Sequence, residues 1–307
     1  MNSMPLDRRT FVQLAAGAVG LAYANPVQAA TEKKKFRLGM CVGVEGDPAQ
    51  SLARVHEVGL HCCQVITGQL SSQAEEALRS ALQKYEIEAT ALTTFGPGEM
   101  VWDFLKGPVT IGLVPRDTRQ ARIDAIKRGS DFAAKLGIPA FQTHCGFIPE
   151  FPGDPYYAET VQAITEVARH CKGNNQWFLC ETGQESPVTL LRTIQDTGLD
   201  NVGVGLDTAN LILYGKGNPV DALDVLGKYV HAVHAKDGFF PTDPNKLGEE
   251  VPIGKGKVDF KKVFTRLLEL GYTGDITIER EISGPKQIED IKQSIRYLEG
   301  VIQEVLG

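Results

Sequence analysis

Short apolar runs alternate with longer amphipathic segments from residue 36 to the end of the chain. A short apolar run is typical of a strand buried in a parallel sheet, whereas apolar positions spaced three and four residues apart predict a helix. The pattern predicts eight strands, each followed by a helix. These strands are residues 36–42, 60–66, 89–95, 140–144, 177–181, 202–207, 229–235 and 275–279.

Eight successive strand–helix units predict an α/β protein with a single (β/α)8 TIM barrel domain over residues 31–307. The alternative is an open doubly wound sheet, which would usually carry a glycine-rich phosphate loop after its first strand. Residues 42–48 contain no such G-x-G-x-x-G pattern. Long loops at residues 96–115 and 236–256 follow the third and seventh predicted strands, and in a barrel both would act as lids on the catalytic rim.

Residues 1–30 have the features of a twin-arginine export signal and are left out of the predicted barrel. Arg8 and Arg9 precede Phe11, a mildly apolar stretch covers residues 14–24, and small residues near Ala29 offer a cleavage site. The segment predicts export through the twin-arginine route, which would place the protein in the periplasm or another extracytoplasmic compartment.

Composition and charge narrow the choice of partner. The formal net charge of −6 argues against nucleic-acid binding. The chain after the N-terminus has no apolar stretch of about 20 residues, so stable membrane insertion is not expected. None of the six cysteines shows paired C-x-x-C spacing, so buried free thiols are expected rather than a disulfide framework. The sequence leaves open whether the chain forms a homo-oligomer.

In each of four consecutive predicted strands, the apolar run is followed directly by a metal-ligand side chain. These side chains belong to Glu181, Asp207, His234 and Glu279. The carboxyl ends of barrel strands meet at one rim, so the four should converge. Three carboxylates and one imidazole suit Mn²⁺, Mg²⁺, Co²⁺ or Zn²⁺ and do not suit copper or iron–sulfur chemistry. The sequence therefore predicts a site for one divalent metal ion.

Alternation along the strands supports this assignment. If Asp207 faces the barrel interior, Gly203 and Gly205 do too, and their lack of a side chain leaves room beneath a ligand. If His234 faces inward, His231 faces the outer helices, and His231 is then the rejected alternative ligand. Any one of these residues alone could be a solvated loop residue, but a coincidence on four successive strands is much less expected.

The motifs around these strand ends resemble the xylose isomerase-like superfamily, in its sugar phosphate isomerase/epimerase branch. They are Glu181-Thr182-Gly183-Gln184-Glu185, Leu206-Asp207-Thr208-Ala209-Asn210, His234-Ala235-Lys236-Asp237-Gly238 and Ile278-Glu279-Arg280-Glu281. Many ketose epimerases of this type have a histidine three residues after the aspartate, where this chain has Asn210.

The resemblance implies a divalent-metal-dependent sugar isomerase or epimerase acting on a small-molecule carbohydrate. The metal would hold a carbonyl and an adjacent hydroxyl, and proton abstraction beside that carbonyl would proceed through an enediolate. Glu181 and Glu279 would be the catalytic base and acid as well as metal ligands. Arg280 and Glu281 would orient Glu279.

Four further residues are expected to bind substrate. His144 ends the fourth predicted strand on the same rim, with a core histidine as the alternative reading. Glu185 follows Glu181 by four residues and could instead cap the next helix. Asn210 follows the aspartate, and Lys236 would bind an anionic group or hydroxyl unless it is a solvated lid residue.

Other functions use related sites. A lyase or hydratase acting on 3-keto sugars or glycosides would abstract a proton in the same way and then expel or add a group at the next carbon. A nuclease similar to endonuclease IV would need several zinc ions, many histidines and a basic face, which six histidines and an acidic balance argue against. A non-catalytic sugar-binding barrel would not need carboxylates on both sides of its ligand.

Overall fold

The computed structural model describes residues 36–307, which form a closed barrel of eight parallel strands surrounded by helices. The barrel strands are β1 (Arg37–Gly43), β2 (Cys62–Ile66), β3 (Glu88–Thr93), β4 (Ala140–His144), β5 (Trp177–Glu181), β6 (Val202–Asp207), β7 (Val230–Ala235) and β10 (Asp275–Ile278). Their order around the barrel is β1-β10-β7-β6-β5-β4-β3-β2, so β10 closes the sheet against β1. The predicted TIM barrel is confirmed.

Helices follow the strands, and several begin at a proline directly after a capping side chain. The helices are α1 (Pro48–Glu57), α2 (Ser72–Tyr85), α3 (Gly107–Thr110), α4 (Arg116–Lys135), α5 (Pro155–Gly173), α6 (Pro187–Thr197), α7 (Asn210–Leu213), α8 (Pro219–Leu226), α9 (Phe260–Glu269) and α10 (Pro285–Leu306). Asp47, Asp154 and Asn218 cap α1, α5 and α8 by accepting a hydrogen bond from a backbone N–H in the first turn.

The two long loops contain short elements that the hydrophobic pattern did not predict. Helix α3 lies in the loop after β3, and the loop after β7 contains an antiparallel pair, β8 (Asp237–Gly238) and β9 (Glu250–Val251). Two-residue strands and a four-residue helix are too short to show a hydrophobic period.

The core has two layers. A small cluster of Ala91, Ala140, Leu179 and Ala232, with Trp177 against it, fills the barrel interior. A much larger cluster lies between strands and helices and contains Ile276 and Ile278. This division follows the alternation expected along β5, β7 and β10, because neighbouring residues of a strand point to opposite sides.

The predicted direction of His231 was wrong. Val204 pairs with Val230 but Gly205 pairs with Ala232, so the register shifts by one residue and His231 has no partner opposite. The His231 ring stacks on Trp177 with ring centroids 3.6 Å apart. It therefore lies beside Trp177 near the amino end of the barrel.

Three other predictions concern the chain as a whole. The export segment at residues 1–30 lies outside the described residues, so its role stays a prediction. No helix in residues 36–307 is long and apolar enough to cross a membrane. All six cysteines are free, and every one except the partly buried Cys41 is buried.

Candidate active site

The structure brings the four predicted metal ligands together at the carboxyl end of the barrel. Each offers one ligand atom, and these atoms all lie within 4.8 Å of one another. His234 Nδ1 is 3.3 Å from Glu181 Oε1, 3.4 Å from Glu279 Oε2 and 3.9 Å from Asp207 Oδ2. One nitrogen and three carboxylate oxygens therefore face a common point.

Backbone structure at the strand ends orients these side chains. Asp207 pairs with His234 in the register of β6 and β7. Asp207 Oδ1 accepts hydrogen bonds from the backbone N–H of Ala209 at 2.8 Å and of Asn210 at 2.7 Å. Glu279 follows β10 directly, and its N–H donates to the carbonyl of Ala235 at 3.0 Å. These contacts leave Asp207 Oδ2 directed at the cluster.

Interior glutamines orient the imidazole of His234. Its Nε2 donates to Gln64 Oε1 at 2.7 Å, because a carbonyl oxygen can only accept. Gln142 Nε2 lies 3.0 Å from the same nitrogen and donates to Glu181 Oε2 at 3.2 Å. Cys41 Sγ is 3.5 Å from Nε2. When the imidazole is neutral, Nδ1 is thus the nitrogen that keeps a lone pair.

The donor set fits a divalent cation. Asp207 Oδ2 and His234 Nδ1 are buried and have no hydrogen-bond partner among residues 36–307. Buried polar atoms without a partner are uncommon, and a bound ion is one of their recognised explanations. Carboxylate oxygens with one imidazole nitrogen match hard or borderline divalent metals. Cys41 Sγ lies close to ligand atoms of His234 and Glu279 as well, and burial raises the pKa of its thiol to about 11.

The carboxyls have opposite pKa shifts. Burial works to raise the pKa of Glu279, but Lys236 and His234 hold it well below its ordinary value. Burial raises the pKa of Asp207 well above its ordinary value, and the nearby carboxylates of Glu279 and Glu181 add to this. Close packing of like charges is costly without a compensating cation.

A cavity of about 300 Å³ opens above the cluster and is lined by Glu181, His234 and Glu279 together with rim residues. Its walls include Phe95, Trp102, Leu213 and Tyr214. A cavity with apolar walls and a few convergent polar groups is typical of a small-molecule site.

Two predicted substrate-binding residues line this cavity. His144 Nε2 lies 3.3 Å from Glu181 Oε1, and its Nδ1 is 3.2 Å from Gln184 Oε1. The ring of Trp102 meets that of His144 edge-on, with centroids 4.9 Å apart. Asn210 also lines the cavity and accepts a hydrogen bond from Lys236.

The other two predicted substrate-binding residues, Lys236 and Glu185, do not line the cavity. Lys236 is buried, not a solvated lid residue, and its Nζ contacts Glu281 Oε1 at 2.6 Å and Glu279 Oε2 at 3.2 Å. Glu185 is buried but does not line the cavity. Burial raises the pKa of the Glu185 carboxyl to about 8, and its Oε2 has no hydrogen-bond partner in the described part of the chain.

Sequence reasoning missed several residues of the site. Gln64 and Gln142 are polar residues within apolar strands, and Gln142 shares the strand face of His144, which was a usable signal. Trp102 and Tyr214 come from irregular segments, whose approach to the cavity has no signature in residue spacing.

Comparison with known proteins places the chain in a family. The family model described as xylose isomerase-like TIM barrel matches residues 52–301. The chain belongs to the xylose isomerase-like TIM barrel family. The resemblance inferred from the strand-end motifs is confirmed at this level.

Three proteins that are similar to this chain are informative. A xylose isomerase domain protein from Planctomyces limnophilus has a crystal structure that is 32% identical, with a TM-score of 0.83, covering 88% of this chain and 99% of that chain. An L-ribulose 3-epimerase of Mesorhizobium japonicum is 26% identical over 139 residues, 42% of each chain. A xylose isomerase-like barrel from Mycobacterium smegmatis, crystallised in complex with magnesium, is 19% identical, with a TM-score of 0.65, covering 84% of this chain and 89% of that chain.

Proposed function

We propose that this barrel is a divalent-metal-dependent sugar isomerase or epimerase that abstracts a proton next to a carbonyl. One observation carries the proposal: ligand atoms of Glu181, Asp207, His234 and Glu279 lie within 4.8 Å of one another at the floor of the cavity. The relationship to an L-ribulose 3-epimerase and to a magnesium-bound barrel supports it.

Glu181, Asp207, His234 and Glu279 would hold the cation. When bound, the cation supplies positive charge that polarises a sugar carbonyl and stabilises the negative charge on its oxygen as the neighbouring carbon loses a proton. The hydrogen bond from His234 Nε2 to Gln64 keeps the imidazole in the tautomer that can bind a metal through Nδ1.

Glu181 and Glu279 would transfer protons. Both carboxyls have a pKa held below the ordinary value, because charges of the surrounding cationic and imidazole groups outweigh burial, so both are ionised at neutral pH. In an epimerase one takes the proton from carbon and the other returns a proton from the opposite face. In an isomerase the proton moves to the adjacent carbon. Lys236 holds Glu279 in place, and Gln142 does the same for Glu181.

A lyase or hydratase acting on 3-keto sugars or glycosides is the second candidate. The observation that favours it is Asn210, which accepts a hydrogen bond from Lys236 where ketose epimerases of this type often have a histidine. A carboxamide cannot exchange a proton with a sugar hydroxyl as an imidazole can. The two candidates share the first proton abstraction and differ in whether a group leaves or is added.

Solvent-deuterium exchange tests the proposal. The purified protein is stripped with a chelator, reloaded separately with Mn²⁺, Mg²⁺, Co²⁺ or Zn²⁺, and incubated in D₂O with aldoses, ketoses and 3-keto glycosides. An epimerase or isomerase incorporates deuterium at one carbon without releasing a group, whereas a lyase releases one. Glu181→Gln and Glu279→Gln should abolish exchange, and Glu289→Gln on the exposed face of α10 should not. Exchange that needs no metal, or that survives in Glu279→Gln, would rule out the proposed mechanism.

A further inference from the structure

A second cavity adjoins the candidate active site. It has a volume of about 420 Å³ and shares two lining residues, Ile66 and Phe95, with the cavity above the metal ligands. Ile66 ends β2, and Phe95 follows β3, so the shared wall lies at the carboxyl rim of the barrel. The two cavities therefore lie side by side on the rim, on either side of Ile66 and Phe95.

The polar groups of the second cavity come from three loops and one helix. Glu45 follows β1, Thr67 follows β2, Thr94 follows β3, and Arg128 lies on α4. None of these groups belongs to the cluster of metal ligands. The second cavity is thus a separate set of hydrogen-bonding groups on the same rim.

Glu45 is held in place across two loops. Its Oε1 accepts a hydrogen bond from the backbone N–H of Gly68 at 3.0 Å. Its Oε2 makes no hydrogen bond within residues 36–307, so it remains an acceptor for a ligand. A side chain at position 68 would crowd this carboxylate, because a Cβ there would lie 3.2 Å from Glu45 Oε1.

Arg128 supplies the matching donors. It is exposed, and its guanidinium forms no hydrogen bond or ion pair with any other residue of the described barrel. A guanidinium only donates hydrogen bonds and a carboxylate only accepts them. The hydroxyls of Thr67 and Thr94 can do either.

We propose that this second cavity is a subsite for a second sugar ring, so that the substrate is a glycoside or disaccharide rather than a free monosaccharide. This inference rests on the proposed function of the adjoining site. A sugar ring presents hydroxyls that both donate and accept, which matches a cavity containing Glu45 and Arg128 together. The ring of Phe95 offers an apolar surface at the junction, suited to the C–H face of a pyranose.

The same charges argue against a phosphate in this position. A phosphate only accepts hydrogen bonds, and it would be attracted by Arg128 but repelled by the carboxylate of Glu45. A cavity made for a sugar phosphate would be expected to carry a second cation or a helix N-terminus in place of that carboxylate.

Matched single-unit and two-unit sugars test the subsite. D-Fructose is compared with its glucosyl derivatives turanose, maltulose, leucrose and isomaltulose, and methyl 3-keto-α-D-glucoside is compared with 3-keto-trehalose. D-Fructose 6-phosphate serves as the phosphate probe. The readout is kcat/KM for deuterium exchange in the Mn²⁺-loaded protein, measured for wild type, Arg128→Met and Glu45→Gln. Arg169→Met, which changes an exposed arginine on α5 away from both cavities, is the matched control.

We expect at least one two-unit sugar to exceed its single-unit counterpart by about tenfold in kcat/KM, which corresponds to about one good hydrogen-bonding interaction. Arg128→Met and Glu45→Gln should remove most of that ratio, and Arg169→Met should preserve it. Three results would overturn the subsite. The first is a higher kcat/KM for single-unit sugars than for two-unit sugars. The others are a loss of kcat/KM in Arg128→Met and Glu45→Gln that is equal for both classes of sugar, or one that is confined to fructose 6-phosphate.

Failure of the proposed function gives a different result. If no sugar exchanges deuterium with any metal, the epimerase proposal fails, and calorimetric binding of the same sugars then decides the subsite. Two-unit sugars that bind more weakly to Arg128→Met than to Arg169→Met would still support it. Equal affinity for both variants, or no binding at all, would overturn it.

Discussion

His234 Nε2 and Gln64 Oε1 form a 2.7 Å hydrogen bond between residues that are 170 positions apart in the chain. The bond joins β7 to β2, which are not neighbours in the barrel sheet. Because the amide oxygen only accepts, Nε2 carries a proton, and in the neutral imidazole Nδ1 is the unprotonated nitrogen that faces Glu181 and Glu279. The metal-binding tautomer of His234 therefore depends on closure of the barrel.

Gln64→Leu should weaken metal binding without removing a ligand. Loss of the acceptor for Nε2–H lets the imidazole rotate or change tautomer, and substitutions of this kind usually cost about 10- to 100-fold in metal affinity. Calorimetric titration of the chelated protein with Mn²⁺ measures the change. Gln73→Leu, on the exposed face of α2, is the control and should bind as wild type. Equal affinity in the two variants would show that Gln64 does not orient His234.

Lys236→Met should destabilise the metal-free protein by about 3 kcal/mol at neutral pH, because buried carboxylates lose their counterion. Lys236 lowers the pKa of Glu279, so this stabilisation is present above the ordinary carboxyl pKa and is lost as pH falls through the folded value. Urea unfolding of chelated protein from pH 8 down to pH 3 should show a constant difference between variant and wild type near neutral pH, and that difference should shrink below the ordinary carboxyl pKa.

Two additions make the Lys236 experiment specific. Mn²⁺ should restore part of the stability lost in Lys236→Met, since the cation replaces the missing positive charge. Lys246→Met, in the same loop but exposed, should behave as wild type. A pH-independent loss that Mn²⁺ leaves unchanged would mean that Lys236 acts by packing alone.

Glu185→Gln should remove a pH-dependent penalty on folding. Burial raises the pKa of the folded carboxyl to about 8 from an ordinary value of 4.5. Between these values the unfolded chain has released the proton and the folded chain retains it, so the free energy of unfolding falls as pH rises, by up to about 1.4 kcal/mol per pH unit.

The measurement for Glu185 is a series of urea unfolding curves from pH 5 to pH 8. As pH rises, the free energy of unfolding of Glu185→Gln should increase relative to that of wild type. Glu289→Gln, on the exposed face of α10, should show the same pH dependence as wild type. Parallel curves for wild type and Glu185→Gln would show that Glu185 ionises normally in the folded protein.

Asp237→Ala should release the loop after β7. The carboxylate accepts hydrogen bonds of 2.8–3.0 Å from four backbone N–H groups, those of Gly238, Gly254, Gly256 and Val258. Leaving these donors unpaired should cost about 3 kcal/mol and open the loop to trypsin at Lys255 and Lys257. Asp243→Ala, in the same loop but partly exposed, is the control for urea unfolding and cleavage. Cleavage at the same rate in both variants would contradict this role.

The barrel and the position of its metal ligands could be predicted because both depend on local pattern. Apolar runs mark the strands, and the side chain that ends each run must lie at the carboxyl rim once the strands are parallel. Glu181 and Asp207 end their strands in the structure, His234 is the next-to-last residue of β7, and Glu279 directly follows β10. One register shift was enough to turn His231 the other way, since a one-residue slip reverses the face of a strand residue.

By itself, the sequence determined the eight-stranded barrel and which four side chains would meet at its mouth. Only the tertiary structure decided the free nitrogen of His234, the burial of Lys236 against Glu279, the distance of Glu185 from the cavity and the second cavity beside Phe95. These features arise from contacts between segments far apart in the chain. Residue spacing within one strand or helix carries no information about which distant side chain will occupy the neighbouring space.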